Sequence, residues 1–209
     1  MNWHSYRSSE GHGLRHNPLK AIIGPRPIGW ISTLSDSGVA NLAPYSFFNM
    51  INDRPPLVMF SSTGYKDSVT NIAARGEFAC NLATRPLAEQ VNLTSGAFEP
   101  DVDEFERAGL AKADCMEIDV PRVADAPACL ECRMVSIQQL KGLNDVKADS
   151  WMVIGEIVAV HLAEEYLADG LFQTDRAEPI LRAGYAGDYW AIGSEGKFTM
   201  YRPKVDESR

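Results

Sequence analysis

The 209 residues, 45% hydrophobic and 23% charged, give one domain enough chain to bury a real core, and they exclude a disordered or fibrous protein. A formal charge of -8 with no basic stripe argues against nucleic acid or an anionic membrane as partner, although a local patch of cations can still hold a small phosphate. No apolar run is long enough to span a bilayer, and MNWHSYRSSEGHGLRHNP lacks the apolar core of a secretion signal, so the expected location is the cytoplasm.

Residues 1–18 mix His, Ser, Gly and Arg with no apolar period and are expected to form an irregular arm; residues 19–209 are expected to form a single domain. His12 and His16 stand four apart, but Gly11 and Gly13 oppose a helix that would present both to a metal. Pro25 and Pro27 hold the chain extended around Arg26. The pattern then predicts a strand over 29–34, a tight turn at Ser35-Asp-Ser-Gly38 and a returning strand over 39–43. Pro44 is expected to end that strand, with a corner or short helical turn over 45–49.

After Arg54-Pro-Pro, residues 57–61 predict a buried strand and 62–66 a loop. Asp67 reads as the N-cap of a helix over 68–74 that Gly76 closes. A strand over 78–82 follows, then a helix over 86–94 with Leu87, Val91 and Leu93 inward, and a short helix over 102–109. Strands are expected over 130–140, 151–162 and 189–192, with one or two helical turns over 164–172 and a polar, frayed C-terminus. Many short strands joined by tight turns favour a mainly β, closed antiparallel barrel with short helices.

The four cysteines include Cys129-Leu-Glu-Cys132. Residues three apart on a strand face opposite sides, and no second pair follows at zinc spacing, so buried thiols are the better reading and no metal site is expected. A phosphate needs several donors and a positive charge. Ser61, Ser62, Thr63, Lys66 and Ser68 supply them around a helix N-terminus, where free amides add a partial positive charge. The loop lacks P-loop glycine spacing, which argues against ATP and GTP. Asp67 would repel a phosphate and is therefore assigned to capping; an ordinary serine-rich turn would look the same. Trp30, Ile31, Ser32 and Thr33, with Ala43, Pro44, Tyr45 and Ser46, suit the edge and face of a planar ring system, or equally a plain core. His161 is more often structural than catalytic in so apolar a strand, and Arg182 and Tyr185 can meet a cofactor or pair with surface carboxylates.

The segments RPIGWIST, NLAPYSFFN, RPPLVMFSS and KDSVTN, in this order and spacing, resemble the flavin reductase-like, FMN-binding split-barrel family, which includes flavoredoxin-type proteins. The resemblance is densest over 26–81 and continues through DEFERAGL, GEIVAVHL and PILRAGYAGDYW. It implies an antiparallel split β-barrel, assembled as a homodimer with FMN near the subunit interface. It implies that Trp30, Ile31, Ser32, Thr33, Ala43, Pro44, Tyr45 and Ser46 line the isoalloxazine and ribityl chain. Ser61, Lys66, Asp67, Ser68 and Asn71 would surround the phosphate, the family's pattern tolerating the aspartate. The implied activity is an NAD(P)H-dependent flavin reductase, with NADH or NADPH as donor and a partner monooxygenase or other acceptor, and with no catalytic side chain because the cofactor carries the chemistry. A non-enzymatic flavin carrier is the alternative, and a haem protein using His161 a weaker one.

Overall fold

The structure is a computed structural model and describes residues 1–203. Residues 1–18 contain no helix or strand. The strands are β1 Arg26–Pro27, β2 Gly29–Leu34, β3 Ala40–Tyr45, β4 Phe48–Asn52, β5 Leu57–Thr63, β6 Glu77–Leu82, β7 Lys112–Ala113, β8 Arg122–Val123, β9 Ala128–Lys141, β10 Lys147–Leu162, β11 Leu167–Ala168, β12 Leu171–Phe172, β13 Ile180–Arg182 and β14 Tyr189–Ala191. The α-helices are α1 Leu19–Ile22, α2 Asp67–Arg75, α3 Ala88–Leu93, α4 Glu104–Arg107 and α5 Thr174–Ala177.

Seven strands form one antiparallel sheet in the order β3-β2-β6-β9-β10-β5-β4, curled into a half-barrel. β1, β13 and β14 form a small separate sheet. Register shifts in the β9–β10 pair, at Ile154/Gly155 and Ile157/Ala159, bend the two long strands, as bulges do. Gly155 permits the curl: a Cβ there would lie 2.3 Å from Cζ of the buried Phe78 ring.

Burial explains why β2 reads as a continuous apolar run rather than an alternating one. It is an inner strand with cores on both faces. Trp30 packs with Leu42, Val91 and Phe105 on one face; Ile31 packs with Phe60, Phe78, Val69 and Ile72 on the other. Cys129 and Cys132 likewise fall in different clusters, and all four cysteines are free thiols.

Several local expectations are corrected. β3 continues through Pro44 to Tyr45 because it is an edge strand, where a missing N–H breaks no ladder bond. The corner expected over 45–49 is confined to a bend at Ser46 and Phe47; Phe48 and Asn49 already belong to strand β4, whose backbone pairs with β5. Lys66, not Asp67, is the N-cap of α2; its backbone is extended (φ -86°, ψ 176°), and Asp67 is the first helical residue. Leu93 is exposed, because α3 is short and buries only Val91 fully. Residues 164–172 form a 3₁₀ turn and then the β11–β12 hairpin, whose turn residues Asp169 (φ 53°) and Gly170 (φ 74°) both have positive φ, as a type I′ turn requires. The C-terminal residues expected to fray include 204–209, which lie outside the described residues.

Candidate functional site

The curl places the outer edge of β3, the start of α2 and the loop after α3 around one cleft of about 280 Å³. Ala43, Pro44 and Tyr45 form one wall; Lys66, Asp67 and Ser68 form the end; residues 94–98 form the opposite wall; and Asn41 and Glu104 lie between them. Six of the sequence-derived residues therefore meet here. Ser46 follows directly but lines a neighbouring cavity. Trp30, Ile31, Ser32 and Thr33 are fully buried, and Asn71 nearly so, behind the cleft rather than on it. Ser61 is half-buried on β5 and does not line the cleft.

Helix α2 supplies the donors. Its first backbone bond runs from the Thr70 N–H to the Lys66 carbonyl, and no side chain caps the end. The N–H groups of Asp67, Ser68 and Val69 accordingly have no acceptor among the described residues. Such an end attracts an anion through aligned amides and partial positive charge. Lys66 is exposed beside it and makes no ion pair among the described residues.

The hydroxyls contribute less than the sequence suggests. Ser68 Oγ donates to Asn41 Oδ1 at 2.8 Å, and Ser62 Oγ donates to the Gly64 carbonyl at 2.8 Å. Each O–H is already committed to the protein and keeps only its acceptor lone pairs. Ser68 belongs instead to a buried chain: Asn71 Nδ2 donates to Thr33 Oγ1 (3.0 Å), which donates to Asn41 Oδ1 (3.3 Å).

Sequence reasoning did not select Asn41, Glu104 or the 94–98 wall. Asn41 Nδ2 donates to Glu104 Oε1 (2.8 Å), and the Leu42 N–H donates to Oε2 (3.0 Å). Glu104 thereby satisfies the free edge of β3 from a helix 62 residues away in sequence. Burial pushes its carboxyl up and these donors oppose that, while the nearby Asp67 charge adds to the rise. Burial likewise pushes the Tyr45 phenol up, so it remains a protonated donor at neutral pH. The 94–98 wall is pinned by Thr94, whose Oγ1 accepts from Trp30 Nε1 at 2.9 Å. Trp30 thus supports the cleft from behind.

His161 lies elsewhere. Its Nε2 meets Glu131 Oε1 at 2.5 Å, and Glu131, with no exposed surface, also accepts from the N–H groups of Met116 and Glu117 at 2.7 Å each. Burial alone would raise the Glu131 carboxyl; the two amides and His161 outweigh it and hold it below the usual range. A depressed folded pKa gives stability that is fully present above the unfolded value, about 4.3, and lost as pH falls through the folded one. The urea midpoint is expected to fall as pH drops from about 5 to about 3, and Glu131→Gln to flatten part of that fall. Parallel pH profiles for the two proteins would contradict this.

Comparison with known proteins places this geometry in context. A profile of the flavin reductase like domain matches residues 24–180. A protein of Aquifex aeolicus strain VF5 is 33% identical over 175 residues, 81% of this chain and 85% of that protein. Nitrilotriacetate monooxygenase component B from Bacillus cereus is 30% identical, with a TM-score of 0.80 over 87% of this chain and 90% of its own. The 2-nitrobenzoate 2-nitroreductase NbaA of Pseudomonas fluorescens is also 30% identical, with a TM-score of 0.77 over 90% and 91%.

Proposed function

The chain belongs to the flavin reductase-like family, its curled sheet is that family's split barrel, and on this premise we propose that it is an FMN-binding NAD(P)H:flavin oxidoreductase that supplies electrons to an acceptor. The observation that carries the reading is the uncapped start of α2 beside Lys66, opening on the same cleft as the edge of β3.

The donor set fits a phosphate-bearing planar cofactor. The α2 amides and Lys66 would hold the anionic end. Ala43 and Pro44 offer a small apolar wall, Tyr45 a phenolic donor, and residues 94–98 a facing wall that limits water. When bound, FMN supplies reversible two-electron chemistry that no side chain here provides. The chain's own task is to bind, orient and exclude water, and we assign no catalytic side chain.

The two solved relatives, a monooxygenase component and a nitroreductase, support delivery of electrons to a partner monooxygenase or a small acceptor. We also assign a homodimer. Edge strand β4 leaves Met50 and Ile51 exposed next to Phe47, and an unpaired apolar edge is normally covered. Sedimentation at micromolar concentration should give a two-chain species; a monomer would overturn that assignment. No described helix is long and apolar enough to cross a membrane, and the free thiols support a reducing, cytoplasmic setting.

Steady-state oxidation of NADH or NADPH by the purified protein with added FMN tests the activity. Turnover with either donor is expected. Absence of turnover with tightly retained FMN would replace the reductase reading with that of a flavin carrier.

A further inference from the structure

A second cavity of about 550 Å³ lies at the end of β3: Ser46 lines it, and the preceding residue, Tyr45, lines the cofactor cleft. Its walls carry Lys20, Arg26 and Arg182, and no carboxylate. Arg26 on β1 and Arg182 on β13 are cross-strand partners. Like charges placed opposite each other destabilise a sheet. Yet the chain has 28 acidic residues against 20 basic ones, and none of these three cations makes an ion pair among the described residues.

The three cations differ in what they already hold. Arg26 Nη1 donates to the carbonyls of Lys20 (2.7 Å) and Ile23 (2.5 Å), which ties α1 to β1. Its Nε is buried without a partner. Burial, then the neighbouring Arg182 charge, lowers the Arg26 pKa, so this setting disfavours its positive charge. Arg182 Nη1 donates to the Asp188 carbonyl at 2.9 Å, and its guanidinium lies 4.6 Å from the Tyr189 ring centre. Asp188 turns its carboxylate to the Tyr185 N–H rather than to Arg182. Lys20 and Arg26 also border an apolar hollow formed with Leu19, Ile23 and Phe47. Cations beside an apolar shelf suit an anionic group attached to a planar, apolar body.

We propose that Lys20 and Arg182, positioned by Arg26, form the subsite for a phosphate of the dinucleotide electron donor. The inference rests on the reading that the α2 cleft holds FMN. The cofactor's phosphate has the α2 amides and Lys66, so a second cationic site at the end of β3 receives a second anion.

The test uses the full chain loaded with FMN. Arg182→Gln and Lys20→Gln should each raise the KM for NADPH about tenfold or more, as loss of a charge-assisted contact does, and should reduce its salt dependence. FMN affinity should stay within about twofold. An unchanged KM in both variants, or a fall in FMN affinity of the same size, overturns the proposal. Calorimetry with 2′-phospho-ADP-ribose needs no turnover: binding that weakens about tenfold in Arg182→Gln supports the subsite, and no binding to the unsubstituted protein overturns it. Should the unsubstituted protein oxidise neither donor yet bind this probe, the reductase reading fails while the subsite stands. Displacement of the probe by equimolar benzoate would instead assign the pocket to a carboxylate and overturn the phosphate.

Discussion

Lys66→Ala is expected to weaken FMN binding about 10- to 100-fold while leaving the thermal transition almost unmoved. A charge-assisted hydrogen bond contributes about 1.5–3 kcal/mol, and each 1.4 kcal/mol is about tenfold in affinity. Among the described residues Lys66 is the sole cation lining this cleft, against the carboxylates of Asp67 and Glu104. Its loss would leave the described charged side chains of the cleft all acidic, with the α2 amides and neutral donors as remaining attraction. The side chain is exposed and makes no ion pair among the described residues, so folding does not depend on it. Lys66→Arg should retain part of the affinity because the charge survives while the point-donor geometry changes. Flavin fluorescence titration of the three proteins reads this directly; equal affinity in Lys66→Ala and the parent would remove the phosphate assignment.

Glu104→Ala is expected to act mainly on stability. It strands the Asn41 Nδ2 and the Leu42 N–H, both buried at the β3 edge, and each unmet group costs about 1–3 kcal/mol. Water entering from the cleft offsets part of this, so a net loss of about 2–4 kcal/mol is expected. For a chain of this length that is a fall in Tm of about 5–15 °C. The wall between β3 and α4 should loosen with it, so FMN affinity should fall as well. A double variant with Asn41→Ala should be less destabilised than the sum of the two singles, because they share one contact. A Tm within about 2 °C of the parent would show that the carboxylate is not what holds the edge.

What was legible in the sequence was local. The β2–β3 hairpin follows from Ser35-Asp-Ser-Gly38, where Gly38 has φ 84°, and the close of α2 follows from Gly76, with φ 75°. Residue type also drew attention to the α2 start, where Lys66, Asp67 and Ser68 line the cleft. What could not be read was direction and distance. The sequence shows that Ser68 and Ser62 have hydroxyls, but not that both donate to other protein groups. Glu104 follows Asp103, which does cap its helix, yet nothing local says that its carboxylate reaches back to Leu42. Pro44 reads as a strand terminator unless the strand is known to be an edge. β4 exists because β5 pairs with it, a tertiary reason absent from its own residues. Asp169-Gly170, by contrast, is a local hairpin signal that the expectation of helical turns over 164–172 left out.

Titration of FMN with the purified, flavin-stripped chain, followed by flavin fluorescence, tests the α2 cleft most directly. Quenching is expected to saturate at one flavin per chain and to shift to higher protein concentration in Lys66→Ala. Fluorescence that stays undimmed at saturating protein, or quenching that Lys66→Ala leaves unchanged, would contradict the assignment of the α2 cleft as the cofactor site.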